Sequence, residues 1–508
     1  MERVKKYFEL NNEPVFHTID DETAKDLNID ELFDKLNHTT SVIGEQYLYN
    51  LLRKIPNYSP VEKHEKWISR SSQDKQLQKQ TSKLLSKLEK SEGYYIYPLI
   101  TKAKTVFSKK VIFLFRILQL LPAVFIALYI LNANYIFFLG IVIAFLVNLA
   151  IHFYSKQISF LHAGTIPQLY RLIFIAEKLL SIPQIKELNL LDHKTLTDLK
   201  DLKSHLSVFR FNVKFESEFS GIVFLITELI RAFFLTEPIN LNKIFDEVNK
   251  RQSELFNVFQ FVGLVDTLLS INKLRQYLNN YCLPEITCEK DTLITEDVYH
   301  PLIDDCVKNS IQSESAESFL ILGSNMSGKT TFIRTIGINV LLAQTINTCF
   351  AKKLILNRQK IYSSITIKDD LLDGKSYYLS EVLRIKEIVK ETESGHNLIL
   401  FDELFKGTNT VERIAGAKAV LNYITSNLHN KIFVATHDIE LVDLLKSKMT
   451  PVYFTESVEN NELTFDYLLR YESPRQRNAI RILSIFDYPV EIVEDALKTT
   501  ESFHKIQN

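Results

Sequence analysis

The sequence predicts a two-part chain: an all-helical region carrying an apolar helical hairpin, then an α/β domain built around a phosphate-binding loop. Three observations carry this. Near residue 285 the hydrophobic period changes from long helical stretches to short apolar runs that alternate with helical ones. The loop Gly323-Ser324-Asn325-Met326-Ser327-Gly328-Lys329-Thr330 directly follows the apolar run Phe319-Leu320-Ile321-Leu322 and opens a helical stretch at Thr331. Residues 111–131 and 135–153 form two nearly unbroken apolar runs.

The 508 residues are enough for roughly three domains at ~150 residues each. A hydrophobic share of 46% and a charged share of 24% are those of a globular protein with a sizeable core. The formal net charge of −1 leaves no global basic field for nucleic acid, although a local basic groove stays open. Four scattered cysteines without a CxxC spacing argue against a zinc or disulfide framework and suit a reducing compartment. The charged start 1–10 lacks the apolar core of a secretory signal.

In chain order, residues 1–100 read as a polar, mostly helical segment with periodic apolar positions such as Leu32, Phe33 and Leu36. The two apolar runs, within 101–157, are each about as long as the ~20 residues a bilayer core requires. Asn132-Ala133-Asn134 separates them; Lys102, Lys104, Lys109 and Lys110 precede them and Lys156 follows. Basic flanks and an uncharged turn predict a transmembrane hairpin (111–153) with both ends on the cytoplasmic side. The competing reading is a buried helical hairpin, which Arg116 inside the first run favours. The shorter run 221–235, interrupted by Glu228 and Arg231, reads as a core helix. Residues 158–284 read as a helical connector, with long helices over 188–209 and 242–278, and Leu283-Pro284 closes it. The α/β domain spans 285–470 and a helical segment 471–508 ends the chain.

Glycine marks the region of interest. Of 13 glycines, seven lie between Gly323 and Gly416, where backbone must turn sharply or approach something closely. The loop's N–H groups and the helix start behind it surround polyphosphate oxygens with positive partial charge. Lys329 is then placed for the β and γ phosphates of ATP and the Thr330 hydroxyl for Mg²⁺. Leu398-Ile399-Leu400-Phe401-Asp402-Glu403 is a buried strand ending in two acids: Asp402 for the Mg²⁺ shell, Glu403 to polarise a water. Ala435-Thr436-His437 ends another strand, where His437 can bond the γ-phosphate or the attacking water. Asp369-Asp370-Leu371-Leu372-Asp373-Gly374-Lys375-Ser376 could bind an anion or be a plain helix cap.

Together these blocks resemble the ATPase of the MutS family, a branch of the ABC-type ATPases. The resemblance rests on 323–331, on Asp-Asp-Leu-x-x-Gly-x-Ser at 369–376, on Phe-Asp-Glu-Leu-Phe-Lys-Gly-Thr-Asn at 401–409 and on Ala-Thr-His at 435–437. It extends thinly to 36–44, 264–270, Tyr299-His300-Pro301-Leu302, Asn478-Ala479-Ile480 and Tyr488-Pro489. The resemblance implies an ATP- and Mg²⁺-dependent ATPase working as a homodimer, with Ser376 of one subunit contacting the γ-phosphate held by the other. ATP would then close the dimer and hydrolysis open it.

The departures predict a shortened member. The family's mismatch-reading domain and its aromatic wedge find no counterpart, the helical region carries the hairpin instead of room for a DNA clamp, and the position of the family's adenine-stacking aromatic falls near Cys306. A membrane-anchored ATPase switch is the expected function; a sensor of mismatched or branched DNA is the alternative. Two apolar runs make a poor transport pathway, and a scaffold that only binds ATP needs neither Glu403 nor His437.

Overall fold

A computed structural model describes residues 1–102, 107–162, 164–207, 209, 222–287, 291–313, 317–324, 326–366, 377–459, 462–473 and 488–507. The chain divides into two compact units that are not contiguous in sequence. One comprises 1–13, 37–50 and 64–274; the other comprises 14–36, 51–63 and 275–508. Two stretches of the expected 1–100 segment, 14–36 and 51–63, therefore group with the α/β domain.

The first unit is helical. Its middle holds the helices Lys109–Asn132 and Tyr135–His162, joined by a turn in which Ala133 takes the left-handed conformation (φ 49°). Both are long and apolar enough to cross a membrane, and only 11% and 17% of their most apolar stretches are buried. Arg116 points outward with the apolar residues around it. A third helix of that length and composition, Gln252–Tyr277, is 78% buried and belongs to the core. Asn148 ties the hairpin to its neighbour, donating to the carbonyls of Leu118 (3.1 Å) and Phe233 (2.9 Å). The expected core helix over 221–235 is Ile222–Phe233, and it is core on one side only: Ala232 is buried while Ile226, Leu229 and Ile230 are exposed. Two expected long helices are broken. Residues 188–209 turn at Asn189 (φ 48°) and restart at His193, and 242–278 divides at Arg251, whose φ of −120° leaves the helical region.

Two of the blocks that carry the family resemblance meet inside this unit. Asp266, fully buried, accepts from the Thr40 N–H (2.9 Å), the Ser41 N–H (2.7 Å) and the Ser41 hydroxyl (2.6 Å). Gly44 is required opposite it, because a Cβ there would lie 2.3 Å from the Asp266 carboxylate. Burial raises the Asp266 carboxyl to about 6.

The second unit is α/β. A short ribbon pairs β1 (His17–Thr18) with β2 (Lys54–Ile55). A four-stranded sheet of order β3-β7-β4-β5 is formed by β3 (Glu285–Thr287), β4 (Leu293–Val298), β5 (Asn309–Ser313) and β7 (Lys353–Asn357), the last of which follows β6 (Ser318–Leu322) in the chain. β6 belongs to the main six-stranded sheet with β8 (Lys360–Ser364), β9 (Asn397–Asp402), β10 (Asn430–Thr436), β11 (Met449–Glu459) and β12 (Glu462–Arg470), in the order β12-β11-β6-β10-β9-β8. All neighbours in it are parallel except the β11–β12 hairpin. β6, β9 and β10 are buried almost throughout, as their continuous apolar runs require of strands covered on both faces.

The early segments complete this unit. Asp26 accepts from the Ser363 hydroxyl (2.6 Å) and the N–H groups of Ile365 (2.9 Å) and Thr366 (2.7 Å), closing the end of β8. Leu27, buried completely, packs at Gly337 of the helix Lys329–Thr345.

Candidate functional site

The strand order brings the sequence motifs together. β6, β10 and β9 are adjacent and parallel, with Thr436 opposite Leu322 and Ala435 opposite Asp402. The loop after β6, the histidine after β10, Asp402 at the end of β9 and Glu403 just after it therefore emerge at one edge, where open α/β sheets bind ligands.

The loop is shaped by its glycines. Gly323 has φ +153° and Gly328 φ +103°, and a Cβ on Gly323 would lie 2.6 Å from the Phe454 carbonyl. Gly328 caps the helix Lys329–Thr345, whose first N–H groups point into the loop. Lys329 is buried, and burial lowers its ammonium. Its Nζ donates to the carbonyls of Gly323 and Ser324, both at 2.8 Å. Ser324 Oγ donates to Glu456 Oε2 (2.7 Å). Ser327 Oγ is closed to solvent without a hydrogen-bond partner among the described residues, while Met326, with φ +70°, is 81% exposed. Asn325 lies outside the described residues.

Thr330 Oγ1 donates to Asp402 Oδ2 at 2.7 Å. A hydroxyl and a carboxylate this close are hard oxygen ligands of the kind Mg²⁺ takes, and they fit that ion with room for substrate oxygens and waters. Glu403 follows in the left-handed region (φ 56°), its N–H bonded to the Ala435 carbonyl (2.8 Å). Its Oε1 meets His437 Nε2 at 2.7 Å and its Oε2 meets Lys406 Nζ at 3.4 Å. The hydrogen bond from His437, more than the Lys406 charge, holds the Glu403 carboxyl down at about 2, so it is ionised at neutral pH. The neighbouring turn is also left-handed at Phe405 (φ 61°), and buried Glu381 holds it by accepting the N–H groups of Phe405 (2.5 Å) and Lys406 (3.3 Å). His437 is steadied from the next residue, since Asp438 takes a two-pronged bond from Arg413 (2.6 and 3.0 Å).

These groups border a cavity of about 790 Å³, within the range of cofactor sites. Met326, Ser327, Gly328, Lys329, Thr330, Thr331, Asp402 and Glu403 line it; His437 does not, and bears on it through Glu403. Ser376 lies outside the described residues. The far wall holds what sequence reading missed: Ile303, Val307, Phe454 and Tyr467, beside the anticipated Cys306. Tyr467 stands against Gly328, where a Cβ would lie 3.1 Å from its ring, and its own φ is +56°. A tyrosine in a two-stranded hairpin carries no motif; only its position past β11 would have flagged it.

Known proteins resemble the part of the chain that carries this site. A family model described as MutS domain V matches residues 319–504. The chain is 30% identical over 271 residues to a DNA mismatch repair protein MutS of Clostridium kluyveri, covering 51% of this chain and 31% of that one. It is 31% identical over 261 residues to the namesake from Aquifex pyrophilus (50% and 30%) and 29% identical over 314 residues to that from Pseudothermotoga lettingae (58% and 38%). The chain thus spans about a third of the length of the curated relatives it matches.

Proposed function

We propose that this chain is a MutS-type, ATP-hydrolysing switch that works as a homodimer from the cytoplasmic face of a membrane. The observation that carries it is the convergence of Lys329, Thr330, Asp402 and Glu403 on one cavity of about 790 Å³. In this reading Lys329 exchanges the Gly323 and Ser324 carbonyls for β- and γ-phosphate oxygens of ATP. Thr330 and Asp402 would hold Mg²⁺, which when bound would supply positive charge to offset that building on the phosphates. With a carboxyl near 2, Glu403 is a weak base; it orients and polarises the attacking water rather than storing its proton. His437 keeps that carboxylate ionised and aimed. Ser376 from the second copy completes the site, as the family resemblance implies.

Membrane anchoring is supported by two apolar helical spans of 24 and 23 residues, Lys109–Asn132 and Tyr135–Gln157, most of whose side chains face outward, with Lys109, Lys110 and Lys156 at the ends remote from the turn. Exposed apolar surface on this scale on a soluble monomer would aggregate. The second reading, a DNA mismatch sensor, is favoured by what the relatives are named for, but the alignments span only about a third of each relative.

The test is ATP hydrolysis by detergent-purified protein, with and without homoduplex, mismatched and branched DNA at two salt concentrations, beside Glu403→Gln. Turnover that the variant abolishes and DNA leaves unchanged supports the membrane switch. Stimulation by DNA with salt-sensitive binding replaces it with the sensor. Equal turnover in the variant overturns both.

A further inference from the structure

The opposite edge of the same sheet carries a cluster that nucleotide chemistry does not use. β9 and β10 begin in register, Asn397 opposite Asn430, so the residues just before them, His396 and His429, stand side by side with ring centroids 4.5 Å apart. Asp291, just ahead of β4, faces both. Its Oδ1 lies 2.7 Å from His396 Nδ1 and its Oδ2 lies 2.8 Å from His429 Nδ1. Lys431 donates to the Asp291 main-chain oxygen (2.8 Å), which anchors the residue and leaves its carboxylate to the two rings.

Hydrogen bonding alone does not account for the arrangement. His429 is aligned to bond its carboxylate oxygen, whereas His396 Nδ1 is shut off from solvent and lies off the line a hydrogen bond needs, despite the short distance. An ion about 2.0–2.1 Å from each atom would hold nitrogen and oxygen about 3.3 Å apart, so it would enter as the exposed rings swing back from the carboxylate by roughly half an ångström. One ligand atom from each of the three residues falls within 4.8 Å of the others. Two imidazoles and a carboxylate, with the rings partly open to solvent, suit a borderline divalent ion that keeps a water in its fourth position. β9 separates this cluster from Asp402 by about 20 Å of strand, at ~3.3 Å per residue, so it is no part of the Mg²⁺ position.

We infer that Asp291, His396 and His429 form a binding site for a divalent transition metal ion of the Zn²⁺ class. The ion ties the entry of β4 to the starts of β9 and β10 and braces the strands whose far ends carry Asp402, Glu403 and His437. The site is independent of nucleotide turnover and of the reading above.

The test uses full-length protein in detergent, stripped with chelator and dialysed against Zn²⁺ in excess Mg²⁺, with bound metal measured directly. Wild type should hold one Zn²⁺ per chain more than His396→Ala/His429→Ala, and Zn²⁺ should raise the melting temperature of wild type only. Co²⁺ in its place should give the visible bands of a low-coordinate nitrogen–oxygen site. Retained ATP binding by the double variant shows that it is folded. Equal metal content in wild type and variant, or none in either, overturns the inference and leaves a hydrogen-bonded His–Asp–His clasp.

Discussion

Gly337→Ala should damage both the stability of the α/β unit and the proposed nucleotide site. Gly337 lies inside the helix Lys329–Thr345, where alanine is by itself favoured over glycine by about 1 kcal/mol. Here the added Cβ would fall 2.5 Å from Leu400 Cδ1 and 2.8 Å from Leu27 Cδ2, both on fully buried residues. Carbon atoms settle at about 3.5–4.0 Å, so the helix and β9 must separate by roughly 1 Å or both leucines must leave their rotamers. Overpacking of this kind costs about 1–3 kcal/mol and outweighs the propensity gain. Leu400 precedes Asp402 by two residues, so the displacement reaches the 2.7 Å contact between Thr330 and Asp402. Thermal unfolding and titration with a fluorescent ATP analogue should show a lower transition and weaker binding in the presence of Mg²⁺. Adding Leu400→Val should recover part of each. A variant more stable by about 1 kcal/mol with unchanged affinity would refute the packing argument and leave helix propensity as the only effect.

Glu403→Gln should lower the turnover number by about 10²–10⁴-fold while ATP still binds, measured by comparing steady-state hydrolysis with nucleotide retention. Tyr467→Ala should weaken ATP by an amount corresponding to about 1–3 kcal/mol and leave inorganic triphosphate binding unaltered, if the ring meets the base; equal losses for both ligands would place it on the phosphates. His300, buried and held near 4 by desolvation, is harder to protonate folded than unfolded, where its pKa is about 6.5. Its contribution is complete above pH 6.5 and lost as pH falls toward 4, by at most about 3 kcal/mol. Melting temperatures across that range should fall in wild type and fall less in His300→Gln. Asp266→Ala removes the acceptor for three donors of Thr40 and Ser41, and urea unfolding should show a loss of about 1–3 kcal/mol for the helical unit without a change in nucleotide affinity.

The edge that carries the candidate site was legible because its parts obey local rules. β6, β9 and β10 are parallel strands covered on both faces, so each is an unbroken apolar run, and each ends in a motif. The glycines of the loop were legible because the chain uses so few. What lay beyond reading depends on distant contacts. Nothing near Asp26 announces that its carboxylate closes a strand end at residues 363–366, and nothing in 221–235 distinguishes a buried helix from one with an exposed apolar side. The pairing of His396 with His429 follows from strand register, which single-chain periodicity does not reveal.

Three segments of each compact unit alternate along the chain, so the backbone passes between the units five times. A ribosome therefore releases the pieces of the α/β unit in instalments. Residues 14–36 emerge hundreds of residues before the strands they cover, and Leu27 and Asp26 must wait for Gly337 and Ser363. Neither unit can be completed, or excised, by cutting the chain at one point. A fragment beginning near residue 275 would carry every nucleotide motif yet leave the bed of Leu27 open and the end of β8 without its carboxylate. An inactive fragment of that kind would report on the threading of the chain and would say nothing against the chemistry of the site.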